Sequence, residues 1–176
     1  MHTVQLAHTA DLEPALRTGA RALLFEVFGD MTDADWEHCL GGMHALVLAD
    51  GEVVGHAALI QRRLMHGGRA LRAGYVEGVA VRASLRRRGV GRSLMAALDR
   101  IADAAYDLAA LGASDEAVPF YRALGWQQWR GPASTLTPSG LLATPDVAGA
   151  IFVRPGAAPL DLDGELTCGW RDGDVW

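Results

Sequence analysis

Residues Tyr75 to Leu94, YVEGVAVRASLRRRGVGRSL, constrain the fold of this chain most, because they pass from strand to turn to helix with an anion site at the join. Tyr75, Val76, Val79 and Val81 are β-branched or aromatic strand formers, and Gly78 among them implies a bulge or a close backbone approach. Gly89 and Gly91 fall where the chain turns into a helix, in which Leu94, Ala97, Leu98 and Ile101 recur at helical spacing. N–H groups in the first turn of such a helix have no intrahelical partner and carry roughly half a positive charge, so a phosphate can sit there against bare backbone. An arginine-rich turn ahead of an ordinary amphipathic helix is the other reading of the same residues.

Two phosphate-binding designs are excluded. A dinucleotide fingerprint needs its third small residue where Leu94 stands, and a Walker loop needs a lysine, of which the chain has none. What remains is Arg86-Arg87-Arg88-Gly89-Val90-Gly91, which resembles the Arg/Gln-x-x-Gly-x-Gly/Ala signature of the GNAT N-acetyltransferase superfamily. In that family the motif holds the pyrophosphate of acetyl-coenzyme A.

The chain has 176 residues, half of them hydrophobic and 21% charged, which suits one globular domain with a sizeable core. Its net charge of −5 argues against nucleic acid as a partner and favours a cationic substrate. The N-terminal residues lack the pattern of an export signal, and no apolar run is long enough for a membrane span, so a cytoplasmic protein is expected. Cys39 and Cys168 stand far apart without a Cys-x-x-Cys or Cys/His cluster, which predicts free thiols and no metal site.

In chain order, 4–8 reads as a strand, and Asp11 as the N-cap of a helix with Pro14 in its first turn and Leu12, Leu16, Leu23, Leu24, Val27 and Phe28 on its apolar face. Thr32 is placed to cap a short helix whose first turn carries Asp33 and Asp35. Strands at 43–49 and 53–62 flank the hairpin signal Asp50-Gly51, and Gly67-Gly68 turns the chain into a third strand at 69–81. After the central helix come a strand at 106–111, a helix at 115–124 capped by Ser114 and closed by Gly125, and a strand at 126–130. The segment 131–146 reads as a loop and 151–153 as a short edge strand. The acidic tail 157–176 is predicted to dock through Trp170 and Trp176, since two such surfaces are costly to leave wet. One α+β domain is expected, with no internal repeat.

Phe120-Tyr121-Arg122-Ala123-Leu124-Gly125-Trp126 is similar to the second GNAT signature and follows the first at that family's interval. Within the superfamily the chain resembles the aminoglycoside 2′-N-acetyltransferases of actinobacteria at 35–38, 40–46, 75–82 and 170–176. The likeness spans nearly the whole length and is weakest at 11–28, 133–149 and 156–168. It implies a GNAT fold, a mixed, mostly antiparallel central sheet flanked by helices, and a homodimer. It also implies Glu77 as a base acting through water, Tyr121 as the acid, and Asp30, Asp35, Asp174 and a Trp176 terminal carboxylate as ligands for substrate ammonium groups, with Glu77 beside them. Acetyl-CoA would be held by Val79, Ala80 and Val81 on the strand and by Arg86, Arg87, Arg88, Gly89, Val90, Gly91 and Arg92 in the loop and first helical turn. Where relatives carry a serine after the fifth strand, this chain has Gly112, so one side-chain contact to substrate is absent.

The residues suit that chemistry independently. An ammonium group cannot attack a thioester, so a carboxylate such as Glu77 beside the coenzyme has a task. A bulge at Gly78-Val79 would turn a backbone N–H toward the carbonyl oxygen, and the Tyr121 hydroxyl would supply the leaving thiolate's proton. Two other readings stand beside this one. One is acetylation of another amine, such as a polyamine, a cell-wall amino sugar or a protein N-terminus; the other is an acyl-CoA sensor without turnover.

Overall fold

The computed structural model describes residues 2–176. In chain order the elements are β1 (Gln5–His8), α1 (Pro14–Val27), α2 (Asp33–His38), β2 (Met43–Ala49), β3 (Glu52–His66), β4 (Arg69–Val81), α3 (Val90–Ala105) and β5 (Leu108–Gly112). There follow α4 (Val118–Ala123), β6 (Gln127–Gln128), β7 (Ala133–Thr137), β8 (Gly140–Ala143), β9 (Ile151–Pro155) and β10 (Leu166–Gly169). Contacts group these residues into two compact units, one running to Ile60 and resuming over Val76–Ile101, the other holding Gln61–Tyr75 and Ala102–Trp176.

In the first unit β1 pairs antiparallel with β2, from Gln5↔Leu46 to His8↔Met43, and β2 pairs antiparallel with β3. Asp50 and Gly51 both have positive φ, at 52° and 82°, the backbone that a tight two-residue hairpin needs. Leu23 and Leu24 of α1, Trp36 of α2 and Leu46, Val53 and Ala58 of the strands close one core. Gly55 decides how α3 seats: a Cβ there would lie 2.7 Å from a Val90 methyl, so the bare glycine admits the start of the helix onto the strand.

The second unit carries the strand order β6-β9-β5-β4-β3-β10-β7-β8, to which β3 and β4 contribute the halves nearest their hairpin. β4 with β5 and β10 with β7 are parallel, and β10–β3, β5–β9, β6–β9 and β7–β8 are antiparallel. The expected α+β class and mixed, mostly antiparallel sheet are therefore present. Leu64, Leu71, Tyr75, Leu108, Trp129 and Trp176 share its core.

Several sequence expectations are corrected. The predicted loop 131–146 contains the β7–β8 hairpin; Ser134 and Thr135 are its buried residues while Leu136, Leu141 and Leu142 are exposed, an inverted pattern that hides strands from a hydrophobicity reading. The strand near 151–153 is not at an edge, since β9 has β5 on one side and β6 on the other. The tail holds β10, a strand too short to show period-two alternation, whose partners lie far back in sequence. Asp11 ends a short 3-10 turn, and Glu13 occupies the N-cap of α1 without a side-chain cap. Phe28 lies past the helix end and is exposed. Ser114 does not cap α4: its carbonyl accepts from Ala117 in a separate turn, and the helix begins at Val118 with Pro119 in its first turn. Trp176 is buried, as a docked tail requires, but Trp170 is half exposed and is no anchor.

Candidate active site

A residue count puts one extra residue in β4 relative to β3, as a bulge would, one of the two readings of its glycine. Between the turn closed by His66 and Arg69 and the bond from Arg82 N–H to Val54 O (2.9 Å), β3 advances twelve residues and β4 thirteen. The extra residue falls in the strand that holds Gly78, whose φ of 55° is the left-handed value typical of a glycine bulge. Two constraints keep glycine there. A Cβ would meet the Cys39 sulfur at 2.7 Å and Leu24 at 3.2 Å, and any L side chain would resist that φ. Glu77, half buried, immediately precedes the bulge, and Val79 follows it.

The turn after β4 bends through a 3-10 segment at Ala83–Leu85 and two left-handed residues, Arg87 (φ 58°) and Gly89 (φ 85°). Ser93 N–H donates to Gly89 O at 3.0 Å as the first rung of α3, so the N–H groups of Val90, Gly91 and Arg92 precede the ladder. Arg87, Arg88 and Arg92 are exposed beside that helix end, while Arg86 donates from Nε to Val81 O at 3.2 Å. Val90 and Ala80 are buried, so their side chains belong to the core and only their backbone can meet a ligand. The donor set therefore suits a pyrophosphate: backbone N–H groups at a helix start, flanked by guanidinium groups.

The acids of the α2 region have different surroundings. Asp35 accepts from Thr32 N (2.8 Å) and Thr32 Oγ1 (2.7 Å) in a capping box, Asp33 pairs with Arg21 at 2.5 Å, and Asp30 is exposed on the turn ahead. Capping uses one oxygen of Asp35, which leaves the other for a ligand. Behind this helix the sequence reading missed a buried polar chain, in which His44 Nδ1 lies 3.0 Å from His56 Nε2 and His56 Nδ1 lies 2.8 Å from Gly78 O. Burial lowers both histidines to about 4, with the charges of His8 and Arg17 acting on His44 as well, so both rings are neutral near pH 7. The strand parity across the Asp50-Gly51 hairpin was the signal that would have found them, because His44 and His56 fall on one face at diagonal positions.

In the second unit Tyr121 lies in α4, buried, with its ring against Phe120, Trp126 and Phe152 at centroid distances of 5.2, 6.2 and 6.3 Å. Burial pushes its hydroxyl well above the usual phenol range, so it keeps its proton and can donate a hydrogen bond. The tail is fixed by named bonds. Trp176 Nε1 donates to Thr144 Oγ1 (2.8 Å), its N–H to Asp174 Oδ1 (3.1 Å), and its backbone oxygen accepts from Arg171 Nη2 (3.1 Å). Arg62 donates from Nη2 to Val175 O (2.7 Å) and Gly169 O (3.1 Å). At Gly112 a Cβ would stand 3.8 Å from the Trp176 carbonyl carbon and 3.7 Å from the Tyr75 hydroxyl, so the missing serine would have been a neighbour of both. Among the described residues no group of three or more His, Cys, Asp or Glu could hold a metal ion, and no helix is long and apolar enough to cross a membrane.

Residues 5–129 match a family model described as an acetyltransferase (GNAT) domain. An aminoglycoside 2′-N-acetyltransferase of Mycolicibacterium fortuitum is 48% identical over 181 residues, covering 100% of this chain and 93% of the relative. Among solved structures, the GNAT family N-acetyltransferase YhbS of Escherichia coli, in complex with CoA, superposes with a TM-score of 0.64 at 18% identity, over 95% of this chain and 89% of that one. An acyl-CoA N-acyltransferase of Pseudomonas aeruginosa gives 0.62 at 17% identity, over 88% and 99%. At such identities these two likenesses concern the fold.

Proposed function

This chain belongs to the GNAT acetyltransferases, which take their acetyl group from acetyl-CoA, and we propose that it delivers that group to the 2′-amine of aminoglycosides by direct attack in a ternary complex. The observation that carries the acceptor is the full-length 48% identity to an enzyme of that name, and the acids of the α2 turn and tail agree with a polycationic sugar.

In this reading the first-turn N–H groups of α3 and the arginines at 86–88 and 92 hold the pyrophosphate. Residues 79–81 receive the rest of the coenzyme along the backbone. Glu77 takes a proton from the substrate ammonium through water, so that the amine attacks with a lone pair. The Val79 N–H meets the charge growing on the thioester oxygen. Tyr121, kept protonated by burial, gives its proton to the departing thiolate. Asp30, Asp35, Asp174 and the backbone oxygen of Trp176 orient the remaining ammonium groups, each charge-assisted bond being worth about 1.5–3 kcal/mol. We read the two units as one catalytic domain working in the cytoplasm. For the homodimer, the contact face proposed is on the β7–β8 hairpin, where exposed Leu136 and Leu141 are cross-strand partners on one face of a terminal pair of strands and Trp170 N–H bonds Leu136 O (3.2 Å). A second copy would cover that patch, and light scattering reads the mass.

Regiochemistry tests the acceptor. Purified protein with acetyl-CoA should acetylate aminoglycosides that carry an amine at 2′, and product NMR should put the acetyl group there. Congeners with a 2′-hydroxyl should bind and remain unmodified at that position. Acetylation of the 3- or 6′-amine, or turnover only on polyamines, would reject this acceptor, and coenzyme binding without thiol release on any amine would point to a sensor.

A further inference from the structure

The buried histidine pair ends on the carbonyl of Gly78, a left-handed residue in the part of β4 beyond its pairing with β5, which runs over Ala73–Tyr75. A bulge takes its extra residue out of the ladder, so neighbouring strands do not fix that peptide's orientation, and a glycine leaves it unusually free to rotate. Gly78 O takes a hydrogen bond from a side chain, His56 Nδ1 at 2.8 Å.

Every proton in the chain behind it can be assigned. A carbonyl oxygen only accepts, so His56 Nδ1 carries the hydrogen, and in a neutral ring its Nε2 is then an acceptor. His44 Nδ1–H fills that lone pair at 3.0 Å, which leaves His44 Nε2 to accept from the Thr9 hydroxyl at 2.8 Å. The hydroxyl has Gly42 O in reach as well, at 3.2 Å, but the ring nitrogen is closer. Thr9 is held in turn by Gly41 N–H at 2.9 Å, and Trp36 packs against both imidazoles with centroids 6.4 and 6.2 Å away. Both histidines are fully buried. Apolar residues would fill such a space at less desolvation cost, so a polar chain that terminates on a single carbonyl points to a task at that carbonyl.

We propose that His56, backed by His44 and Thr9, is a positioning residue for acetyl transfer: by holding Gly78 O it aims the Val79 N–H at the thioester oxygen. Gly78 C=O and Val79 N–H belong to one planar trans peptide, so they point in opposite directions and fixing the first fixes the second. Donors held in place before the reaction need no reorientation as charge develops, and that preorganisation is where such a donor earns its effect. The inference rests on the acetyl-CoA reading above and adds to it the residues that orient the donor.

The test compares wild type with His56→Phe, which keeps a ring and removes the donor, and with His56→Gln, whose amide N–H can reach the same carbonyl. Three quantities are read: turnover with an accepted aminoglycoside, coenzyme affinity by calorimetry, and the carbonyl stretch of bound acetyl-CoA labelled with carbon-13 at the thioester. The expected result is a red-shifted thioester carbonyl in wild type and, for His56→Phe, loss of that shift together with a fall in kcat of about 10–100-fold and coenzyme affinity changed less than about threefold. His56→Gln should regain most of both. Wild-type kcat and red shift in His56→Phe overturn the proposal, and so does a loss that tracks coenzyme affinity and is not recovered by glutamine, since that marks a packing role. If the phenylalanine variant does not fold, His44→Leu decides, because it leaves the Gly78 bond possible but unlocks the tautomer: a diminished red shift supports the proposal and an unchanged one overturns it. A wild type that turns over no acetyl-CoA defeats the parent reading and this one together, whereas an active wild type beside an unaffected variant defeats this one alone.

Discussion

The guanidinium carbon of Arg62 lies 4.6 Å from the centroid of the Tyr75 ring, over its face, while Nη2 of the same group bonds the carbonyls of Gly169 and Val175. One side chain of β3 thereby ties a strand residue of the core to the tail that carries Asp174 and Trp176. Among the described residues its buried Nη1 has no hydrogen-bond acceptor, so part of the gain is offset by desolvation. Arg62→Met should therefore destabilise the protein by only about 1–3 kcal/mol. It should raise the Michaelis constant for the acceptor several-fold and leave that for acetyl-CoA nearly unchanged. Denaturant titration and steady-state kinetics check this; equal acceptor constants would separate the tail from substrate binding.

Proton transfer is assigned to two side chains with opposite requirements. Glu77→Gln removes the proposed base and Tyr121→Phe the proposed acid, and each should lower kcat by about 10²–10⁴-fold. Neither should change coenzyme affinity much, because neither belongs to the proposed pyrophosphate cradle. Wild-type turnover in Glu77→Gln at neutral pH would transfer the base role to a bound water or to the substrate's own neighbouring amine.

The cradle is tested at Gly91, whose N–H precedes the first rung of α3. Gly91→Val adds a side chain where a pyrophosphate must approach the backbone, without a helix penalty relative to glycine. Calorimetry should record at least tenfold weaker coenzyme A binding with an unchanged circular dichroism spectrum. Undiminished affinity in the folded variant would mean the phosphates bind elsewhere.

Stability should fall as pH drops from about 6.5 toward 4, with His44 and His56 among the causes. Above 6.5 both rings are neutral folded or unfolded and contribute no pH dependence. Below it the unfolded chain takes up protons that the folded chain, with both histidines lowered to about 4 by burial, refuses. For His56 alone the full loss, reached below pH 4, is about 3 kcal/mol. Melting temperatures at pH 7.5 and 5 should therefore diverge in wild type and converge in a His44→Leu/His56→Leu double variant. Equal slopes for the two proteins would show that other groups govern the acid limb.

Sequence alone determined those features whose causes are local. The Asp50-Gly51 and Gly67-Gly68 hairpins, the Thr32 cap, the glycine break in β4 and the loop-to-helix cradle all follow from backbone preferences of a few neighbouring residues, and each stands at or near its expected place. The two spaced motifs then gave the family, because Arg86–Gly91 and Phe120–Trp126 hold a fixed order. Tertiary structure decided what depends on distant partners. The β7–β8 hairpin and β10 are short, polar or inverted in pattern, and they are strands because β3 and one another supply their hydrogen bonds. Asp35 reads as a ligand or a cap until its carboxylate is seen on Thr32. The link from Thr9 through His44 and His56 to Gly78 spans four separate segments, and only their folding together makes two unremarked histidines into a support for one peptide.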